Sequence, residues 1–341
     1  MKQRNQSIDA IKGVAIALVV LGHVFVHNHM EDPYVYDFIK AVQMPLFMII
    51  SGYLCGRGRK ISNLKSYGTV MGKRITAYLV PFFAWLTVMH LENLKEAYTK
   101  IFFELDYGLW FLGVLFVLTV MVYTAQLASG WLRKRSEFWS ELLFWGVYGA
   151  FCLILVLQIL VGNTFLSPYL TIIYVPFYML GYVFGNYGKY FLCWDQKISG
   201  KLDCKNNRLV QLGSFAFGAL FLYLVITKNL NSMETKFDVI IQMIASVLGS
   251  GVIIYGVLWW KEGKIKNIFA KLGEYTLEIY VIHYHFANML NFKDKQYDFY
   301  TLEGFVFVLL SLIAMSAVTF AFIWVMKKIR LLDFIFFGKK S

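Results

Sequence analysis

The stretch SIDAIKGVAIALVVLGHV, residues 7–24, places a lysine and a histidine inside an otherwise apolar run. Lys12 and His23 are eleven positions apart. At about 100° per residue, eleven steps end roughly 20° past three full turns. In an α-helix both side chains therefore leave one face, with His23 about 16 Å further along the axis. Asp9 precedes Lys12 by three residues, a spacing suited to an ion pair, and Ser7 is the expected N-cap. Ionisable groups are costly in hydrocarbon, and an imidazole exchanges protons near neutral pH, so His23 is a candidate general base or nucleophile. The competing reading is structural: Lys12 reaches along the helix to the interface, and His23 hydrogen-bonds a neighbouring helix.

A second polar cluster sits in LGEYTLEIYVIHYHF, residues 272–286. Glu278 and His285 are seven apart and share a helical face, whereas His283 stands about 140° from Glu278. His283 enters its span by about nine residues, roughly 13 Å, which matches the depth expected of His23 and implies a shared polar cavity. In GKRITAYLVPFF, Lys73 and Arg74 open the third apolar span and Pro81 should kink it. QMPLFMIISGYL places Pro45 inside the second span and a Ser-Gly pair near its end, suited to close helix contact. Lys12, Lys73 and Arg74 at a cytoplasmic mouth, with histidines half-way across, would suit a guest with an anionic head and a reactive far end. Acyl-coenzyme A has that shape.

The elements that must position these groups are membrane helices. Hydrophobic residues make up 58% of the 341 and charged residues only 16%, against about 25% charged in soluble domains. Apolar runs recur near 10–27, 38–55, 75–91, 109–129, 141–160, 168–187, 209–227, 237–260, 274–290 and 303–326. Each is long enough to cross a hydrocarbon core about 30 Å thick. The expectation is an all-α polytopic membrane protein of about ten transmembrane helices. It forms a single domain over 1–341, with no separate soluble part. About 26 of the 33 basic residues fall on one side of these spans, which predicts cytoplasmic termini. The net charge of +12 then reflects topology and anionic lipid rather than nucleic acid. Cys55, Cys152, Cys193 and Cys204 show no metal-ligand spacing, and no metal is expected. The basic start followed by an apolar run imitates a signal peptide, but no cleavage pattern follows, so an uncleaved first helix is expected.

Over roughly residues 5–330 the chain resembles integral-membrane acyltransferase family 3. The resemblance is carried by SIDAIKGVAIALVVLGHV, QMPLFMIISGYL, KRITAYLVPFF, YGLWFLGVLFVL and LGEYTLEIYVIHYHF in that order. It implies ten core helices and transfer of acyl groups, commonly acetyl, from cytoplasmic acyl-CoA to glycans or related acceptors. The family's first-helix motif is an arginine, ten residues, then a catalytic histidine; Lys12 and His23 occupy those positions here. Lys12 keeps the charge without the planar fork of arginine. Gln43 stands where relatives often carry a histidine, so no chemistry is assigned to it. Relatives with an added esterase-like domain exist, and 341 residues leave no room for one.

The expected function is a cell-membrane O-acyltransferase that moves an acyl group, most simply acetyl, from acetyl-CoA as co-substrate to a hydroxyl of an envelope or exported glycan. His23 is the expected general base, with a covalent acyl-histidine as the mechanistic variant. Lys12, Lys73 and Arg74 are the expected donor-binding residues, and Asp9, Trp110, Glu278 and His283 the candidate cavity residues. Two rivals share the many spans and buried polar groups: a transporter or flippase for a lipid-linked sugar, and a non-catalytic partner of a polysaccharide synthase. Internal repeats and discontinuous helices would mark the transporter.

Overall fold

The computed structural model describes residues 5–31, 34–188, 208–228, 230 and 235–339. Lys2, Arg4, Cys193, Cys204 and nearly all of the basic connector expected over 188–208 lie outside the described residues. Those described are helical wherever they are regular, with no strand among them. The helices are α1 (Gln6–His27), α2 (Tyr34–Gly56), α3 (Leu64–Arg74), α4 (Val80–Met89), α5 (Leu94–Lys100), α6 (Trp110–Gly130) and α7 (Glu137–Leu160). They continue as α8 (Pro168–Asn186), α9 (Arg208–Thr227), α10 (Lys236–Trp259), α11 (Lys264–Glu274), α12 (Thr276–Ile282), α13 (Leu302–Lys327) and α14 (Arg330–Phe337).

Seven of these, α1, α2, α6, α7, α8, α10 and α13, are long and apolar enough to cross a membrane. The other three expected spans fall on different structures. The seventh is the apolar helix α9. The third begins as a π-helical turn, Ile75–Leu79, in which the Val80 N–H donates to the Ile75 carbonyl, and continues as α4. The widened turn comes just before Pro81, which lacks an N–H and needs clearance from the preceding turn. The ninth is not one helix. α12 ends at Ile282 and passes into a 3₁₀ turn over His283–Phe286.

The chain divides into two compact units, residues 1–51 with 183–325 and residues 52–182 with 326–341. Within the first, α1 starts on a side-chain cap from Asn5, whose Oδ1 accepts the N–H groups of Ser7 and Ile8 at 3.0 and 3.2 Å. The expected cap, Ser7, is already inside the helix, because the extended backbone a cap requires falls at Asn5. α1 packs on α11 at near backbone contact. A Cβ on Gly13 would come within 1.9 Å of the Phe269 carbonyl oxygen, and one on Gly273 within 1.8 Å of that of Asp9. Only glycine fits at either point. On α11, Lys266 is buried and paired with Glu262 at 2.6 Å.

Within the second unit, α6 is the buried element, packed by α7 and by the π turn. Gly52 at the end of α2 lets the Tyr178 carbonyl approach to 1.9 Å from where a Cβ would be, the close contact expected of the Ser-Gly pair. The Trp85 indole N–H donates to the Phe336 carbonyl at 3.1 Å, fastening α14 to α4.

Gly273→Ala should separate α1 from α11 and destabilise the protein by about 1–3 kcal/mol, the usual cost of overpacking. Gly72→Ala, with open space around its Cβ position, should be neutral or stabilising by up to about 1 kcal/mol. Thermal unfolding in one detergent compares them, and equal midpoints would contradict the close-packing account.

Candidate active site

α1 is a single uninterrupted helix, so Lys12 and His23 share one face as their spacing requires. The His23 ring lies 4.9 Å from that of His283, centre to centre, with the planes inclined at 60°. His27, one turn beyond His23, is 5.8 Å away, and Tyr284 meets His23 edge-on at 5.3 Å and His27 at 4.6 Å. Three imidazoles and a phenol thus gather at one place in the first unit. Among the described residues, no group of His, Cys, Asp or Glu is arranged to hold a metal ion.

The turn that carries His283 is held by Asn28. Its buried side-chain amide donates to the Val24 carbonyl at 2.8 Å and to the Ala287 carbonyl at 3.1 Å, tying the end of α1 to the segment after His283. His283 itself is 1% exposed, and its Nδ1–H donates back to the Ile279 carbonyl at 2.8 Å. The buried atoms His23 Nδ1, His27 Nε2 and His283 Nε2 make no hydrogen bond among the described residues. Gln43 reaches α1 beside His23: its Oε1 stands 2.6 Å from where a Cβ on Gly22 would be. Glycine at 22 admits that side chain.

Lys12 pairs with Asp9 at 3.7 Å, as the three-residue spacing predicts, and Asp9 is buried. Glu278 is fully buried on α12, close in sequence to His283. The expected sharing of a face by Glu278 and His285 is not what burial shows, since Glu278 and His283 are buried and His285 is exposed. α12 ends at Ile282, so His283 and His285 stand on a 3₁₀ turn and not on one continuous α-helix with Glu278.

The remaining candidates lie in the second unit. Lys73 is exposed, whereas Arg74 is half-buried at the end of α3. Its guanidinium donates to the Tyr78 hydroxyl at 2.9 Å and to that of Tyr123 at 3.4 Å, and lies over the Tyr78 ring. Cys55 is buried against the hydroxyls of Tyr123 and Tyr178. Arg74 is thus held by neutral phenols, an arrangement that fixes the cation without neutralising it. Trp110 opens α6 and stacks on Tyr174 at 5.2 Å. It belongs to the second unit, and Asp9, Glu278 and His283 belong to the first.

Reading by residue type passed over His27, Tyr284, Asn28, Tyr78 and Tyr123. Two had a signal in the sequence. His27 follows His23, and Tyr78 follows Arg74, by four residues, which puts each pair on one helical face. Asn28, Tyr284 and Tyr123 had none, because their roles come from contacts distant in sequence.

The acyltransferase-domain family profile matches residues 5–326, nearly the whole chain and across both units. The chain belongs to this acyltransferase family. Two curated relatives carry the name nodulation protein NolL. That of Sinorhizobium fredii (strain NBRC 101917 / NGR234) is 30% identical over 189 residues, covering 54% of this chain and 49% of the relative. That of Mesorhizobium japonicum (strain LMG 29417 / CECT 9101 / MAFF 303099) is 25% identical over 198 residues, covering 54% and 48%. The chain spans about half the length of the curated relatives it matches. No solved structure matches it. Family membership favours an acyl-transfer reading over the transporter and the non-catalytic partner.

If Asn28 holds the histidine turn of this protein, Asn28→Ala should cost about 1–3 kcal/mol, as loss of buried hydrogen bonds does. Amide hydrogen exchange over residues 283–288 should quicken relative to α6. Wild-type protection there in the variant would show that the turn is held by other means.

Proposed function

We propose that this acyltransferase sits in the cell membrane with cytoplasmic termini and about ten spans. It transfers an acyl group, acetyl in the simplest case, from acyl-CoA to a hydroxyl of a cell-envelope or exported glycan. His23 is the general base. Its imidazole takes the proton of the acceptor hydroxyl as that oxygen attacks the thioester carbonyl. The carbon–sulfur bond then breaks, and the proton returns from His23 to the departing CoA sulfur. An ester and free CoA-SH result, and no oxidant or reductant is needed.

The observation that carries this reading is the environment of His23. It is an imidazole on a membrane-type helix, beside a second buried imidazole, with a ring nitrogen that makes no structural hydrogen bond. Lys12, Lys73 and Arg74 are proposed to bind the donor's phosphates. Of these, Arg74 is held in place by two phenols, whereas Lys73 is exposed. Charge-assisted phosphate contacts contribute about 1.5–3 kcal/mol each.

The test uses purified protein in nanodiscs, labelled acetyl-CoA, and envelope glycans from cells that lack the protein. His23→Gln should fold and bind CoA yet lose transfer by about 10²–10⁴-fold, the range of general-base catalysis. Arg74→Ala should raise KM for acetyl-CoA by roughly 10- to 150-fold, with Lys73→Ala well below it. Transfer by His23→Gln at the wild-type rate would remove His23 as base.

A further inference from the structure

The ring nitrogens of the histidine pair carry an inference beyond the choice of base. A neutral imidazole has one N–H. The bond from His283 Nδ1 to the Ile279 carbonyl therefore fixes that proton and leaves Nε2 as a lone-pair acceptor. This acceptor is buried and makes no hydrogen bond among the described residues, and the same holds for Nδ1 of His23. The ring centres are 4.9 Å apart. Two imidazoles joined by an N–H···N bond of about 3 Å have centres about 5 Å apart, given a ring radius just over 1 Å. The spacing leaves room for such a bond, which the rings as oriented here do not make. The rings stand at 60°, and rotation of His23 about its broad terminal torsion is the rearrangement that the bond requires.

We propose that His283 is a positioning residue for acyl transfer: its Nε2 accepts the Nδ1–H of His23 and so keeps the lone pair of His23 on Nε2. The proposal rests on the reading of His23 as the base. Nδ1 is the buried nitrogen of His23, a side chain only partly buried, so this tautomer leaves the lone pair on the other nitrogen, Nε2, for an acceptor hydroxyl. A carboxylate commonly orients such a histidine, and its loss costs about 10⁴-fold through the wrong tautomer. A neutral imidazole orients without bringing a negative charge into the helix bundle, and its loss costs less. Glu278, buried on the same helix, is not required for this role. His27 is the rival partner, but its ring is 5.8 Å from His23, beyond the separation of a bonded pair.

Full-length protein labelled with ¹⁵N-histidine, in nanodiscs, tests this by nitrogen NMR, which distinguishes protonated from lone-pair ring nitrogens. The His23 signals are those that vanish in His23→Gln. In the wild type and in His27→Leu, His23 should carry its proton on Nδ1. In His283→Leu a mixture with the Nε2–H form should appear, and acetyl transfer should fall by roughly 10- to 100-fold, short of the carboxylate case. KM for acetyl-CoA should hold. His283→Gln, whose amide oxygen replaces the acceptor, should restore most of both. A wild-type His23 protonated on Nε2, or His23 signals unmoved by His283→Leu, would overturn the proposal. The signals decide the hydrogen bond, and wild-type transfer by His23→Gln decides separately against the base.

Discussion

The constraint on which the rest depends is the near contact of α1 with α11 and the segment that follows it. Two imidazoles on different helices meet only if the backbones carrying them come close, and Gly13 and Gly273 permit that approach. Asn28 then fixes the turn beyond His283 to the end of α1. Between these points lie His23 and His283, at a separation set by backbone packing rather than by their own attraction. Small residues that bring helices together are the expected device where no hydrophobic driving force separates helix from lipid.

Breaks in helical regularity do the remaining positioning. The 3₁₀ turn after α12 carries the buried His283 and the exposed His285, and the π turn before Pro81 separates Arg74 from α4. Neither break is visible as a loss of hydrophobicity. An apolar run tells how long a segment is and leaves open whether its hydrogen-bond ladder is continuous. For that reason the ninth span was legible as an apolar segment but not as an interrupted one, whereas Pro81 marked the irregularity of the third.

The candidate site was legible to the extent that it depends on one helix. Lys12, Asp9 and His23 lie on α1, and a three-residue ion pair and a shared face follow from helical geometry alone. His283 was reached through matched depth, a weaker argument, because depth fixes position along the membrane normal and not which helices touch. The phenols around Arg74 and the Asn28 clamp come from packing between helices, and a single sequence carries no record of that. The N-cap moved from Ser7 to Asn5 for a local reason: both residue types can cap, and the backbone conformation selects between them.

Membership of the family supports the proposal of acyl transfer, and the histidine geometry supports a base placed for it. Determining the structure of the purified protein with a non-cleavable acetyl-CoA analogue, its thioester sulfur replaced by a methylene, tests that account most directly. The account predicts the acyl carbonyl carbon on the Nε2 side of His23, with a gap for one hydroxyl oxygen at an approach of about 3–3.5 Å to each. An analogue whose acyl end lies away from His23, with the imidazole enclosed by protein on both nitrogens, would contradict it.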